Sequence, residues 1–237
     1  MHPRIYCTIL IASTIIQASI VKTRISLIHA TSLAMSPIQE SFSRLWPDAM
    51  VFNLLEDSLT ADLRVAGGDI DAMAGRFVEL TRYAVDSGAN GVLFTCSAFG
   101  AAIEAARATT HVPVLKPNEA MIEEALILGT NVALIATFEP ALAPITQEFR
   151  EYAQSRNTEL NVKPFFVNGA WEAIQSGDKQ VHDQLIAKTC AAASDFDVVC
   201  LAQFSMTSAQ AASQHASGRP TLTTPDSAVK KLKARLS

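Results

Sequence analysis

From Arg24 onward the chain alternates short apolar runs with longer segments whose apolar residues recur every three or four positions. The runs at 25–29, 50–55, 91–96, 112–115, 132–137, 162–167, 198–203 and 220–223 read as strands. Of the intervening segments, 69–87 is the clearest helix, with Ile70, Met73, Phe77, Leu80 and Ala84 on one stripe. Strand and helix in strict alternation imply βαβ crossovers, and so a mainly parallel sheet covered on both faces. The expected fold is α/β and doubly wound.

The pattern also repeats. A shift of 107 residues lays Leu27, Ile28, Pro37, Ile38 and Phe42 onto Leu134, Ile135, Pro144, Ile145 and Phe149. It likewise carries Val92 onto Val199, Pro113 onto Pro220 and Leu115 onto Leu222, and a one-residue slip pairs Pro117 with Pro225 and Ala120 with Ala228. The chain therefore reads as two similar halves, 24–117 and 131–224, related by a pseudo-twofold axis and each carrying a four-stranded sheet. The closing segment 226–237 corresponds to 118–128, and each is expected to cross over and pack beside the other half. That assigns 24–117 plus 226–237 to the first half and 118–225 to the second, with 1–23 as an extension.

Residues 1–23 break the pattern. Met1–Arg4 is short and basic, and 5–21 is apolar but interrupted by Thr8, Ser13, Thr14, Gln17 and Ser19. The stretch is too hydroxyl-rich for a membrane span. A signal peptide is one reading. An extension upstream of the domain start is the preferred one, because no small-residue cleavage site precedes the strand at 25–29, and its deletion is expected to leave the fold intact.

Composition narrows the function. Of the 237 residues, 49% are hydrophobic and 18% charged, enough to build a core and too apolar for general disorder. The net charge of −4 speaks against a nucleic-acid surface, and the one basic cluster, Lys230, Lys231, Lys233 and Arg235, reads as the solvated face of a last helix. The four cysteines lack metal-binding spacing, so no metal is expected, and their scarcity suits a reducing compartment such as the cytoplasm, while their even number leaves two disulfides open. Gly67-Gly68 lacks the context of a phosphate loop.

Candidate chemistry gathers where strands end, since ligands of open α/β sheets bind at carboxyl ends. Three loop pairs should converge between the halves: 29–32 with 137–140, 95–97 with 202–204, and 116–118 with 224–226. Cys96 ends one strand and precedes a helix-prone segment, a place where helix N–H groups favour a thiolate able to act as base or nucleophile. The inert alternative is a small core residue. His29 is a candidate acid or base, against the reading of a hydrogen-bonded structural histidine. Thr95, Ser97, Lys116, Asn118, Thr137, Phe204 and Ser205 are candidates for holding a substrate. For Lys116 the bland reading is a solvated lysine, and for the hydroxyl residues it is helix capping. Glu56 and Asp57, after the second strand, read as groups that orient an amine or cap the next segment, with capping preferred.

The duplicated layout, TCSAFG around Cys96, the following VPVLKPNEAM, the strand-end LAQFSMTSA and the closing TTPDSAV together resemble the aspartate/glutamate/hydantoin racemase superfamily, which also contains arylmalonate decarboxylase and maleate isomerase. The resemblance runs from Arg24 to the end. It implies an enzyme of amino-acid or related metabolism that works at the carbon α to a carboxylate of an amino acid, hydantoin or related small acid, without cofactor or metal. In such racemases each half contributes one cysteine; one takes a proton from one face and the other returns it to the opposite face. Cys96 matches the first cysteine, but the 107-residue shift places Gln203 where the second would stand. A neutral amide is neither a useful base nor a useful acid near pH 7. Cys200 falls within a strand and Cys190 in a helix, so both read as core.

The sequence thus supports a racemase-like isomerase with Cys96 as acid/base, and keeps two alternatives: a one-cysteine decarboxylase or lyase, and a ligand-binding homologue without turnover. No nucleic acid or membrane partner is expected, and self-association into a homo-oligomer stays open.

Overall fold

The structure, a computed structural model, describes residues 22–236, so the expectations for 1–23 lie outside the described residues but for the last two. Strands β1 (Arg24–His29), β2 (Met50–Leu55), β3 (Gly91–Phe94) and β4 (Val114–Leu115) form one sheet in the order β2-β1-β3-β4. Strands β5 (Asn131–Ala136), β6 (Asn161–Phe166), β7 (Val198–Leu201) and β8 (Thr221–Thr223) form a second in the order β6-β5-β7-β8. Every pairing is parallel. Helices α1 (Met35–Leu45), α2 (Leu59–Val65), α3 (Ala74–Asp86) and α4 (Gly100–Arg107) belong to the first α/β repeat, and α6 (Leu142–Ser155), α7 (Ala170–Gln175), α8 (Lys179–Cys190) and α9 (Gln210–Ser217) to the second. The fold is α/β and doubly wound, with one four-stranded all-parallel sheet in each half.

The strands end where hydrogen-bond partners run out. Thr95 N–H still reaches Ile28 O at 3.0 Å and Cys96 stays extended at φ −115°, but the chain after β1 turns away, so the β3 ladder stops at Phe94 instead of the expected 96. β7 stops at Leu201 instead of 203, with Ala202 N–H on Ile135 O at 2.9 Å. In the segment 69–87, Asp69 Oδ1 accepts from Asp71 and Ala72 N–H, and a 3-10 turn over Asp71–Met73 precedes α3.

The remaining helices tie the halves together. In α5 (Glu119–Leu128), Met121, Ile122 and Ala125 pack with Val132, Leu134, Val198 and Cys200 of the second sheet. In α10 (Thr224–Leu236), Ala228, Val229 and Leu232 are fully buried among Ile25, Leu27, Leu93 and Leu115 of the first. Gly91 makes that approach close, because a Cβ there would stand 3.0 Å from Leu236 Cδ1 and 3.1 Å from Leu232 Cδ2. The two crossed helices also meet each other. Glu124 accepts from Ser227 Oγ at 2.6 Å and Lys230 Nζ at 2.7 Å, while Lys231 lies 2.6 Å from Glu123 and 3.3 Å from Glu119. No helix among the described residues is long and apolar enough to cross a membrane.

Candidate active site

The carboxyl ends of β1 and β7 are brought together by a short 3-10 helix, Phe204–Ala209, directly after Gln203. It lies against the 3-10 turn Ser32–Ala34 after β1 and against α1. Its Phe204 packs into the core of the opposite half, with Ala34, Ile38, Leu93 and Ala228. Phe204, a sequence candidate for touching substrate, is at 8% exposure instead the wedge that joins the halves.

Cys96 sits at the end of β3, half-buried, and leans on the apolar cluster of Phe94, Phe99 and Ala102. Burial pushes its thiol above the ordinary cysteine range, and the Ala98 N–H donated to it pulls back only in part. The thiolate expected from a helix start is therefore not favoured. The next element is a three-residue 3-10 turn, Ser97–Phe99, which offers little of a helix dipole to offset desolvation. The shift favours the protonated thiol. Cys190 and Cys200 are fully buried, and burial raises both.

Gln203 is fastened at its oxygen. Oε1 accepts from Thr137 N–H at 2.7 Å, Thr137 Oγ1 at 2.9 Å and Phe138 N–H at 3.2 Å, all in the loop after β5. Two of those partners are backbone donors, so only the oxygen of the carboxamide fits there. Thr137, an expected substrate contact, is fully buried and committed to this clamp.

His29 does not line a cleft. It has no exposed surface, its Nδ1 lies 2.9 Å from Thr95 Oγ1, and its Nε2 lies 3.0 Å from Asn53 Oδ1. A neutral ring with its proton on Nε2 satisfies both contacts, donating to Asn53 and accepting from Thr95. Burial holds its pKa below the usual value, with the Asn53 bond acting the other way. The ring is thus held as a buried side chain with both nitrogens engaged, and Thr95, 6% exposed, is one of its partners.

The loop after β4 is similarly absorbed. Lys116 pairs with Glu104 at 2.8 Å. Asn118, 2% exposed, donates Nδ2 to Glu148 at 3.0 Å; burial pushes the Glu148 carboxyl up, with Asn118 and Lys116 opposing. Sequence reasoning missed Glu148 because it lies well inside α6, on a face that the repeat does not mark as special. Ser97 and Ser205 are half-buried, with no side-chain partner among the described residues. Glu56 accepts from Ser58 N–H and Oγ and pairs with Arg76, as a capping group would. A surface hollow of about 380 Å³ lined by Phe42, Trp46, Pro47, Ala49 and Val51 opens at the amino ends of the strands and contains none of these residues. Among the described residues no three His, Cys, Asp or Glu side chains gather as a metal site would require.

Two parallel sheets joined by crossed helices, with a cysteine and a glutamine at equivalent strand ends, are accompanied by a match to the Asp/Glu/Hydantoin racemase sequence profile over residues 29–232. The chain belongs to the Asp/Glu/hydantoin racemase family. Solved structures of the same fold include a cysteine-for-glycine variant of arylmalonate decarboxylase in a sulfate-associated form, at 17% identity and TM-score 0.66, covering 90% of this chain and 92% of that one. Allantoin racemase from Klebsiella pneumoniae aligns at 16% identity and TM-score 0.65, covering 90% and 86%. Glutamate racemase from Bacillus anthracis aligns at 11% identity and TM-score 0.67, covering 90% and 81%. No curated protein matches at the sequence level. Such identities fix the fold, and leave the reaction to the residues of the site.

Proposed function

We propose that this family member is a cofactor-independent enzyme acting at the carbon α to a carboxylate of a small acid, with Cys96 as its one proton-transfer group. The reading favours protonation from a single face, as in a decarboxylase or other lyase, over two-base racemisation. The observation that carries it is the clamp on Gln203: at the place of a second thiol stands an amide whose oxygen already accepts three hydrogen bonds. His29, with both ring nitrogens engaged and no exposed surface, does not replace it.

In a malonate-type acid, the bond from the α-carbon to one carboxylate breaks, CO₂ leaves, and the electron pair stays as an enediolate. The Cys96 S–H bond then breaks, its proton goes to the α-carbon, and the thiolate is reprotonated from water. A half-buried thiol whose pKa is pushed up suits this order of events better than one that must first abstract a proton.

The test is a panel of amino acids, hydantoins and substituted malonates in D₂O. The expected outcome is CO₂ release from a malonate with deuterium placed on one face only, abolished by Cys96→Ala while ligand affinity changes by no more than a few fold, because acid catalysis is expressed in the transition state. Exchange of the α-proton with loss of stereochemistry would instead establish a racemase and sink the one-sided mechanism.

A further inference from the structure

We infer that Gln203 converts an anion cradle into a fixed, neutral hydrogen-bond donor, and that this carboxamide N–H₂ group selects a substrate carrying a carboxylate oxygen on the second half's side of the cleft. The inference rests on reading the strand-end cleft as the substrate site.

In the loop after β5, successive backbone N–H groups at Thr137 and Phe138, with the Thr137 hydroxyl, converge on one point, an arrangement that ordinarily receives an anion. Here that point is filled by Gln203 Oε1 at 2.7, 2.9 and 3.2 Å. Among the described residues, no side chain does the same for the loop after β1, whose matching strand end carries Cys96. The plug belongs to the second half.

Filling the cradle has a second effect. Three donors hold the oxygen, and the carboxamide nitrogen on the same Cδ is left free to donate elsewhere. Nε2 donates to no group among the described residues, and the side chain is half-buried at the strand end. A donor held in place without a partner loses little conformational freedom on binding an oxygen, which makes it a specificity element. It also withholds the strong positive potential that an open cradle would offer, and so favours one oxygen in a defined direction over any small anion.

Malonate serves as the probe, followed by the side-chain ¹⁵N–H₂ resonance pair of Gln203, identified by its disappearance in Gln203→Ala. Malonate is expected to shift that pair in the wild-type protein. Gln203→Glu keeps an oxygen for the three donors but puts a charged acceptor where the donors were, so malonate affinity should fall by about tenfold or more. Gln203→Ala reopens the cradle, whose freed N–H groups can take an anion, so it should bind malonate better than Gln203→Glu does. The inference is overturned if malonate leaves the Gln203 pair unmoved at every concentration, or if Gln203→Glu binds within twofold of wild type. The wild-type titration needs only one of the two variants to fold, since either removes the Gln203 pair and so identifies it. Absence of turnover on malonates would count against the proposed reaction alone, since these readouts are of binding.

Discussion

At the scale of single residues, the site is defined by what its side chains are already bonded to. His29 is the clearest case, because its buried neutral ring makes folding sensitive to pH. Its folded pKa lies below the ordinary value of 6.5, so the unfolded chain binds the proton more readily. Stability from this group is fully present above pH 6.5 and declines as pH falls through the window below it. Glu148, held above the usual 4.5, acts in the opposite direction over part of the same range. The comparison must therefore be between variants. Thermal midpoints of the wild type should fall from pH 7.5 to 5 more steeply than those of His29→Gln, and parallel slopes would show that the ring is not kept neutral by the fold.

At the scale of elements, close backbone approaches govern what can change. The turn from α5 into β5 passes Gly129, where an added Cβ would lie 2.3 Å from Asp197 Cβ. Gly129 is extended at φ 163°, so the constraint there is space and not backbone strain. Asp197 Oδ2 accepts from Thr130 N–H at 3.0 Å and Asn131 N–H at 2.9 Å, which fixes the entry to β5. Gly129→Ala displaces this carboxylate and should cost about 1–3 kcal/mol by chemical denaturation, the range for orphaned backbone donors. A loss under about half a kcal/mol would mean that Asp197 can retreat freely and that its two bonds re-form or are replaced by water. The start of α10 is held by a comparable device: Asp226, 3% exposed, accepts from Ser41 Oγ and from Arg44, both at 2.6 Å, and so ties α10 to α1.

At the scale of the whole molecule, the crossed helices make the two sheets depend on one another. Leu232 comes after the second half in sequence but is fully buried against the first sheet. Leu232→Ala should cost about 2–5 kcal/mol, as for other fully buried leucines. The two tryptophans give one reporter in each half, Trp46 beside Phe42 and Trp171 beside Phe138. Single-tryptophan versions of the protein should show coincident unfolding midpoints, both lowered by Leu232→Ala. Two separated transitions would mean that the halves are energetically independent.

The range of the forces involved decides how much of this is legible in the chain. The strands, the parallel sheets and the duplication are readable because apolar periodicity and a repeated register are local or self-referring properties, and β1 and β5 differ in position by the same 107 residues as the matched sequence. Cys96 and the replacement at Gln203 are readable for the same reason. The state of those groups is not. The Cys96 thiol is pushed up by apolar neighbours around it, the His29 ring is held by Thr95 just after β3 and Asn53 in β2, and the Gln203 oxygen is held by two backbone N–H groups 66 and 65 residues away in the chain. Desolvation and hydrogen-bond geometry depend on distances across the fold, so residue types alone determined where chemistry could occur, and only the tertiary structure decided which groups were left free to do it.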